Sequence, residues 1–146
     1  MGKVLEIGIS ENSKGEIRKQ PFVEAIAGKG LINDRHHKEG NKNKNQITLI
    51  EIENIELYNQ ISGTSIRPID FRRNIITKNI SLNKLVGKEF HIGKVKVKGI
   101  NLCEPCLYLQ KKLNNSNIVK EFAHKGGLRA QILTEGTIYS SDLIRG

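Results

Sequence analysis

Three short stretches of this 146-residue chain carry side chains that could do chemistry: Cys103-Glu104-Pro105-Cys106, Asp34-Arg35-His36-His37 and Arg72-Arg73. The chain has 2 cysteines, and their spacing allows a redox pair, half of a metal site, or one working thiol beside a bystander. If Cys106 opens a helix read in CLYLQKKL, unpaired backbone N–H groups and the helix dipole stabilise its thiolate. Such a position moves a thiol pKa from about 8.5 into the range of roughly 3.5–7.5. A thiolate is the form that ligates metal or carries a persulfide. Glu104 opposes that shift; Arg73, Arg129, Arg35, His36 and His37 favour it where they converge. The plain structural alternative is that Cys106 is a small, inert, buried hydrophobe. Cys103 has three readings: a half-buried residue finishing the strand KVKVKGINL, a resolving thiol, or a zinc ligand. A structural zinc needs four ligands, and a single CxxC with no His-x₃₋₅-His could recruit His36, His37 or His124 only through long-range folding.

The arginines raise the question of an anion. Arg presents a planar fork that matches phosphate, and Asp34 can hold Arg35 in place, although the same run also reads as a solvated turn. Arg72 and Arg73 precede the strand-like NIIT, so alternation predicts one facing the interior and one facing solvent. Gly126-Gly127 before Leu128-Arg129 reads either as a helix stop or as a nest of N–H groups for an anion, supported by Arg129. A net charge of +9 also points to an anionic partner. Nucleic acid is disfavoured, because aromatics are 5% of the chain, Trp is absent and the lysines are dispersed. A small phosphorylated ligand suits the charge.

Positioning these groups falls mainly to strands. The expected β segments are VLEIGIS (4–10), QPFVEAI (20–26), QITLIEI (46–52), RNIITKNI (73–80), KEFHIG (88–93), KVKVKGINL (94–102), RAQIL (129–133) and TIYSSDLI (137–144). ENSKGE (11–16) is expected to join the first two as a hairpin, and Gly93-Lys94 to close another. Ile52, Ile55 and Ile61 predict that QITLIEI begins as strand and ends as helix; helical pattern recurs in 106–113 and 117–125. The non-periodic 28–46 is long for a loop in a compact domain, and loops of that kind are usually functional or mobile. One domain of mostly β type, a barrel or sandwich, follows for residues 1–146. The opening MGKVLEIGIS reads as strand and not as signal peptide, position 6 is not the Ser or Thr of a myristoylation site, and no apolar run approaches a membrane span. A cytoplasmic protein with reduced thiols and no membrane contact is expected.

The segments GLINDRHH (30–37), QITLIE (46–51), RRNIIT (72–77), LNKLVGKEFHIG (82–93), CEPC (103–106), GGLRAQIL (126–133) and GTIYSSDLI (136–144), in that order, resemble the MOSC domain family. The resemblance implies a closed MOSC-type β-barrel with a few peripheral helices, related to the C-terminal part of molybdenum cofactor sulfurases. It implies Cys106, after Pro105, as the working cysteine and metal ligand; Cys103, read from the residues as a resolving thiol, stands as a second catalytic candidate. It also implies that Asp34, Arg35, His36, Arg73, Asn74 and Arg129 bind the molybdenum cofactor (molybdopterin), with Arg73 facing inward. Asn33 and Asn79 stand where the family commonly has glycine, and Asn is the residue that best tolerates the left-handed backbone expected there. No pyridoxal phosphate is expected in these 146 residues, so a sulfur donor protein is implied. The function implied is cofactor binding or sulfur carriage. The alternative is a small cofactor-dependent reductase of N-hydroxylated compounds, with electrons from a separate reductase protein.

Overall fold

The computed structural model describes residues 2–11, 16–37, 46–103 and 125–146. Their strands are β1 (Gly2–Ile9), β2 (Arg18–Gln20), β3 (Phe22–Ile26), β4 (Gly30–Leu31), β5 (Ile47–Glu51), β6 (Ile75–Lys78), β7 (Glu89–Ile92), β8 (Val95–Leu102), β9 (Leu128–Ile132), β10 (Gly136–Tyr139) and β11 (Leu143–Arg145). Hydrogen bonding runs β11-β7-β8-β9-β5-β6-β1-β2, and β11 also pairs with β1. Seven strands therefore close into a barrel, with β2 appended to β1 and with β10-β3-β4 as a separate three-stranded sheet. This is the mostly β, closed architecture expected, with one α-helix, α1 (Ile52–Ser62), among the described residues.

Period-2 patterning builds the interior. In β8 and β9, Val95, Val97, Leu128, Ala130 and Ile132 are buried while Lys98 is exposed and Gln131 partly so. They join Val4, Ile7, Leu49, Ile75, Phe90, Ile92 and Ile144 in one cluster. β5 departs from alternation because both of its faces are covered. Leu49 points into the barrel, whereas Ile50, with Ile76 of β6, packs outward against Ile55 and Tyr58 of α1 and against Phe71. That double burial explains the unbroken apolar run, and α1 provides the crossover that lets β5 pair in parallel with β6. Gly63, at φ 69°, caps α1 by donating its N–H to the Asn59 carbonyl.

Two expected strands are broken in two. In QPFVEAI the body is β3, paired with β10 and β4, and the partner of β1 across 11–16 is instead β2, through Ile7↔Gln20 and Ile9↔Arg18. The expected single strand 137–144 turns at Ser141, φ 78°, so that β10 joins the small sheet and β11 the barrel. Sequence alternation carries no signal for a change of sheet. Gly93, φ 59°, closes the β7–β8 hairpin as expected, and Asn33 and Asn79 take φ of 69° and 61°. The helical patterns of 106–113 and 117–125, with Glu104, Cys106 and His124, lie largely outside the described residues, as do 38–45 of the long loop.

Candidate functional site

Asp34 is an acid buried to 5% exposure at the turn after β4. Its Oδ1 accepts the Ser10 N–H at 3.1 Å and its Oδ2 the His36 N–H at 3.3 Å. Arg35 Nη1 lies 3.7 Å from Oδ1, and His36 Nδ1 lies 3.2 Å from Oδ2. Burial pushes this carboxyl up, but the His36 and Ser10 contacts and the Arg35 charge together outweigh it and hold it below the usual carboxylate range. Gly30 makes the turn possible: at φ 133° an added Cβ would sit 2.9 Å from His37 Cα and 3.0 Å from the His36 carbonyl oxygen.

From there the network crosses to the approach to β6. Arg35 donates its backbone N–H to Ser10 O at 2.7 Å and a guanidinium N–H to the Arg72 carbonyl at 3.1 Å. Arg73 donates from Nε to Gly126 O at 2.8 Å and from Nη1 to Phe71 O at 3.3 Å. Alternation does not govern this pair of arginines, because β6 begins only at Ile75. Arg72 instead ends a 3₁₀ turn, Pro68–Phe71, with φ 64°, and is 4% exposed, while Arg73 is intermediate. Asn74 is fully buried. Its Oδ1 accepts the Thr48 N–H and hydroxyl at 3.0 and 3.1 Å, and its Nδ2 donates to Gly8 O at 3.0 Å. That amide ties β1, β5 and β6 together beside Arg73.

The third arm reaches the cysteine segment. Cys103, 3% exposed, follows β8 and donates its N–H to Gly127 O at 2.8 Å, so adjacent glycine carbonyls hold Arg73 and Cys103. Gly127 is obligatory in this geometry: at φ 110° an added Cβ would lie 1.9 Å from the Leu49 carbonyl oxygen. Arg129 alternates with buried Leu128 and Ala130, which places it on the outer wall of the barrel. There it donates to Leu102 O at 3.2 Å and to Asn101 Oδ1 at 3.4 Å.

One connected set thus contains Asp34, Arg35, His36, Arg73, Asn74 and Cys103, with Arg129 attached to the end of β8 from outside. Cys106 lies outside the described residues, three positions after Cys103. Sequence reasoning missed Ser10, Thr48 and Gly30, which hold the set together through backbone contacts that residue type alone does not signal. Among the described residues no group of three or more His, Cys, Asp or Glu side chains could hold a metal ion.

No curated protein matches the chain. Among solved structures it is similar to the YUAD protein from Bacillus subtilis, at 17% identity and a TM-score of 0.84, over 99% of this chain and 94% of that one. It is similar also to YiiM from Geobacillus stearothermophilus, at 15% identity and 0.76, over 99% and 74% of the two chains. For YiiM from Escherichia coli the values are 13% and 0.72, over 99% and 69%. At these identities the likeness is one of fold. The family model described as MOSC domain matches residues 34–145, beginning at the buried aspartate and ending on the strand that closes the barrel, and the chain belongs to that family.

Proposed function

We propose that this protein binds a molybdenum cofactor or carries sulfur for one, with the Cys106 thiolate as the working group. The observation that carries the reading is the chain of contacts from Asp34 through Arg35, the Arg72 carbonyl and Arg73 to the Gly126–Gly127 carbonyls and Cys103. It brings cationic side chains to the segment that leads into Cys106. Arg73 is aligned by the Gly126 and Phe71 carbonyls, and Arg35 by the Arg72 carbonyl together with Asp34.

The donor set fits such a cofactor. Arginine forks suit its phosphate and the oxygen and nitrogen edges of its pterin, and a thiolate suits its metal. Arg35 and Arg73 would hold the anionic end, His36 would stand beside them with its ring fixed against Asp34, and Asn74 would keep Arg73 in register. Cys106 would ligate the metal or carry a persulfide, for which a low thiol pKa is the requirement. Bound there, the cofactor would supply the redox or sulfur-accepting centre. Arg129, on the outer wall, would steady the end of β8 from which the cysteine segment leaves. A sulfur donor or electron donor protein completes the cycle. No helix of the described residues is long and apolar enough to cross a membrane, and the cytoplasm is the proposed location.

The test is molybdenum analysis and intact mass spectrometry of protein purified from a cofactor-producing host. Retention of about one molybdenum per chain, or a persulfide mass on Cys106, supports the reading. Neither metal nor persulfide under those conditions rejects it.

A further inference from the structure

A strip of cations crosses the outer wall of the barrel at the end away from the candidate site. β6 runs from the buried Asn74 toward Lys78, and there directly paired residues, whose side chains share a face, line up Lys78, Lys3 and Leu143 across β6, β1 and β11. Arg145, two positions beyond Leu143, faces the same way and is continued by His91 of β7 and Lys96 of β8. Lys94 is exposed at the turn between those two strands. The small sheet meets the strip at its edge: Ser141 donates its N–H to Val4 O at 2.9 Å and Ser140 to Pro21 O at 3.0 Å, so the β10–β11 connection ties Lys3 to the start of β3. At that start Phe22 pairs across strands with Tyr139, their ring centroids 6.0 Å apart.

Both halves of this edge are left unsatisfied by the fold. Phe22, Tyr139 and Leu143 are 50%, 53% and 50% exposed, three large apolar side chains turned to solvent in one neighbourhood. Like charges directly opposite each other repel, yet Lys3 stands opposite Lys78, and among the described residues neither of them, nor Lys94 or Arg145, enters an ion pair. Three carboxylates border the strip and each has a partner already. Glu89 is held by Lys96 at 2.8 Å, Asp142 Oδ2 accepts the Tyr139 N–H at 2.8 Å, and Glu53 Oε2 accepts the Asn79 N–H at 2.8 Å. Glu24, exposed two positions along β3 from Phe22, marks the outer limit of the apolar part.

Exposed apolar tips beside unpaired lysines match the headgroup zone of an anionic bilayer, where the rings and Leu143 enter and the ammonium groups stay with the phosphates. A protein partner matches less well, because lysine is depleted from protein interfaces. Nucleic acid matches less well too, because the two rings pack on each other, tilted by 42°, instead of standing apart as stacking platforms. We propose that this edge attaches the protein peripherally to an anionic membrane surface, with Phe22, Tyr139 and Leu143 in the headgroup zone and Lys3, Lys78, Lys94 and Arg145 on the lipid phosphates. The expectation of no membrane contact rested on the absence of a long apolar run, which attachment to a surface does not require. The attachment stands whether or not Cys106 handles a cofactor.

The experiment is co-sedimentation of the full chain with vesicles of phosphatidylcholine alone and of phosphatidylcholine mixed equally with phosphatidylglycerol, at low and high salt. The mixed vesicles should bind at least tenfold more tightly than phosphatidylcholine, and high salt should weaken that binding. Lys3→Gln combined with Lys78→Gln should weaken it at least tenfold. Lys84→Gln combined with Lys88→Gln, the same change of net charge placed before β7, should weaken it by about threefold at most. The chain has no Trp, so Phe22→Trp supplies a single reporter whose emission should shift to the blue with mixed vesicles. Every side chain replaced is exposed, so the variants keep the fold. Absence of binding to mixed vesicles, equal binding to both lipids, equal loss from the two lysine pairs, or an emission that vesicles leave unmoved would each overturn the proposal.

Discussion

Replacing Asp34 by alanine should cost about 3 kcal/mol at pH 7, and the figure follows from what its carboxylate holds. The Ser10 N–H is fully buried and would lose its acceptor, a loss of about 1–3 kcal/mol. Arg35, with a side chain 14% exposed, would lose its counter-charge, and removing one partner of a buried pair costs about 3–5 kcal/mol. The two effects overlap because they share one carboxylate, so the smaller end of the second range is the better guide. For a chain of this size that corresponds to a fall in melting temperature of roughly 6–12 °C. The sign with pH is fixed. The Asp34 carboxyl is held below its unfolded value of 3.8, so its contribution is complete above that value and is lost as pH falls through the folded one. Urea unfolding of wild type and Asp34→Ala should therefore show the full gap at pH 7 and a smaller one below about pH 4. A gap under about 0.5 kcal/mol at pH 7, or one that does not narrow in acid, would show that Asp34 does not hold Ser10 and Arg35 in this way.

Gly127→Ala should destabilise by about 3 kcal/mol or more, since left-handed strain adds to a contact with the Leu49 backbone. Gly63→Ala, at φ 69° with open space around its Cβ, should lose only about 1 kcal/mol in the same urea assay. Glu51 is pushed above the usual carboxylate range by burial, against the Leu82 N–H it accepts and with Glu53 adding to the rise. Ionising it therefore costs stability as pH rises from its unfolded value of 4.5 through the folded one, and Glu51→Gln should be the more stable protein above that window and equal to wild type below it; a less stable variant at pH 7 contradicts this. Iodoacetamide at neutral pH, read by peptide mass spectrometry, should label Cys106 in the native protein and Cys103 only after unfolding, because Cys103 is 3% exposed.

The barrel was legible because its strands obey a period that burial enforces. Val95 and Val97 alternate with lysines, and Gly93-Lys94 marks the hairpin between β7 and β8. The switch at Ser141, which sends β10 and β11 to different sheets, leaves no trace in alternation, since both halves have a buried isoleucine. Within the candidate site, Asp34, Arg35 and Arg73 stood out by residue type and by their motifs. Ser10 and Thr48 did not, because their parts are played through a backbone N–H and a buried hydroxyl that exist only once distant strands meet. The arginine pair shows the same limit: extending strand alternation back to Arg72-Arg73 made one inward and one outward, whereas a 3₁₀ turn ends at Arg72 and both lie before β6 begins. Asn33 and Asn79 were readable for a local reason, since the left-handed backbone they adopt depends on the residue itself.

The proposed function requires the two cysteines to be unequal. The decisive measurement is the molybdenum and persulfide content of wild type, Cys103→Ala and Cys106→Ala, purified from the same cofactor-producing host. Cys103→Ala should retain what wild type carries, because its buried position contributes packing and a backbone contact to Gly127 that alanine keeps. Cys106→Ala should carry neither metal nor persulfide. Retention by Cys106→Ala, or equal loss from both variants, would contradict it.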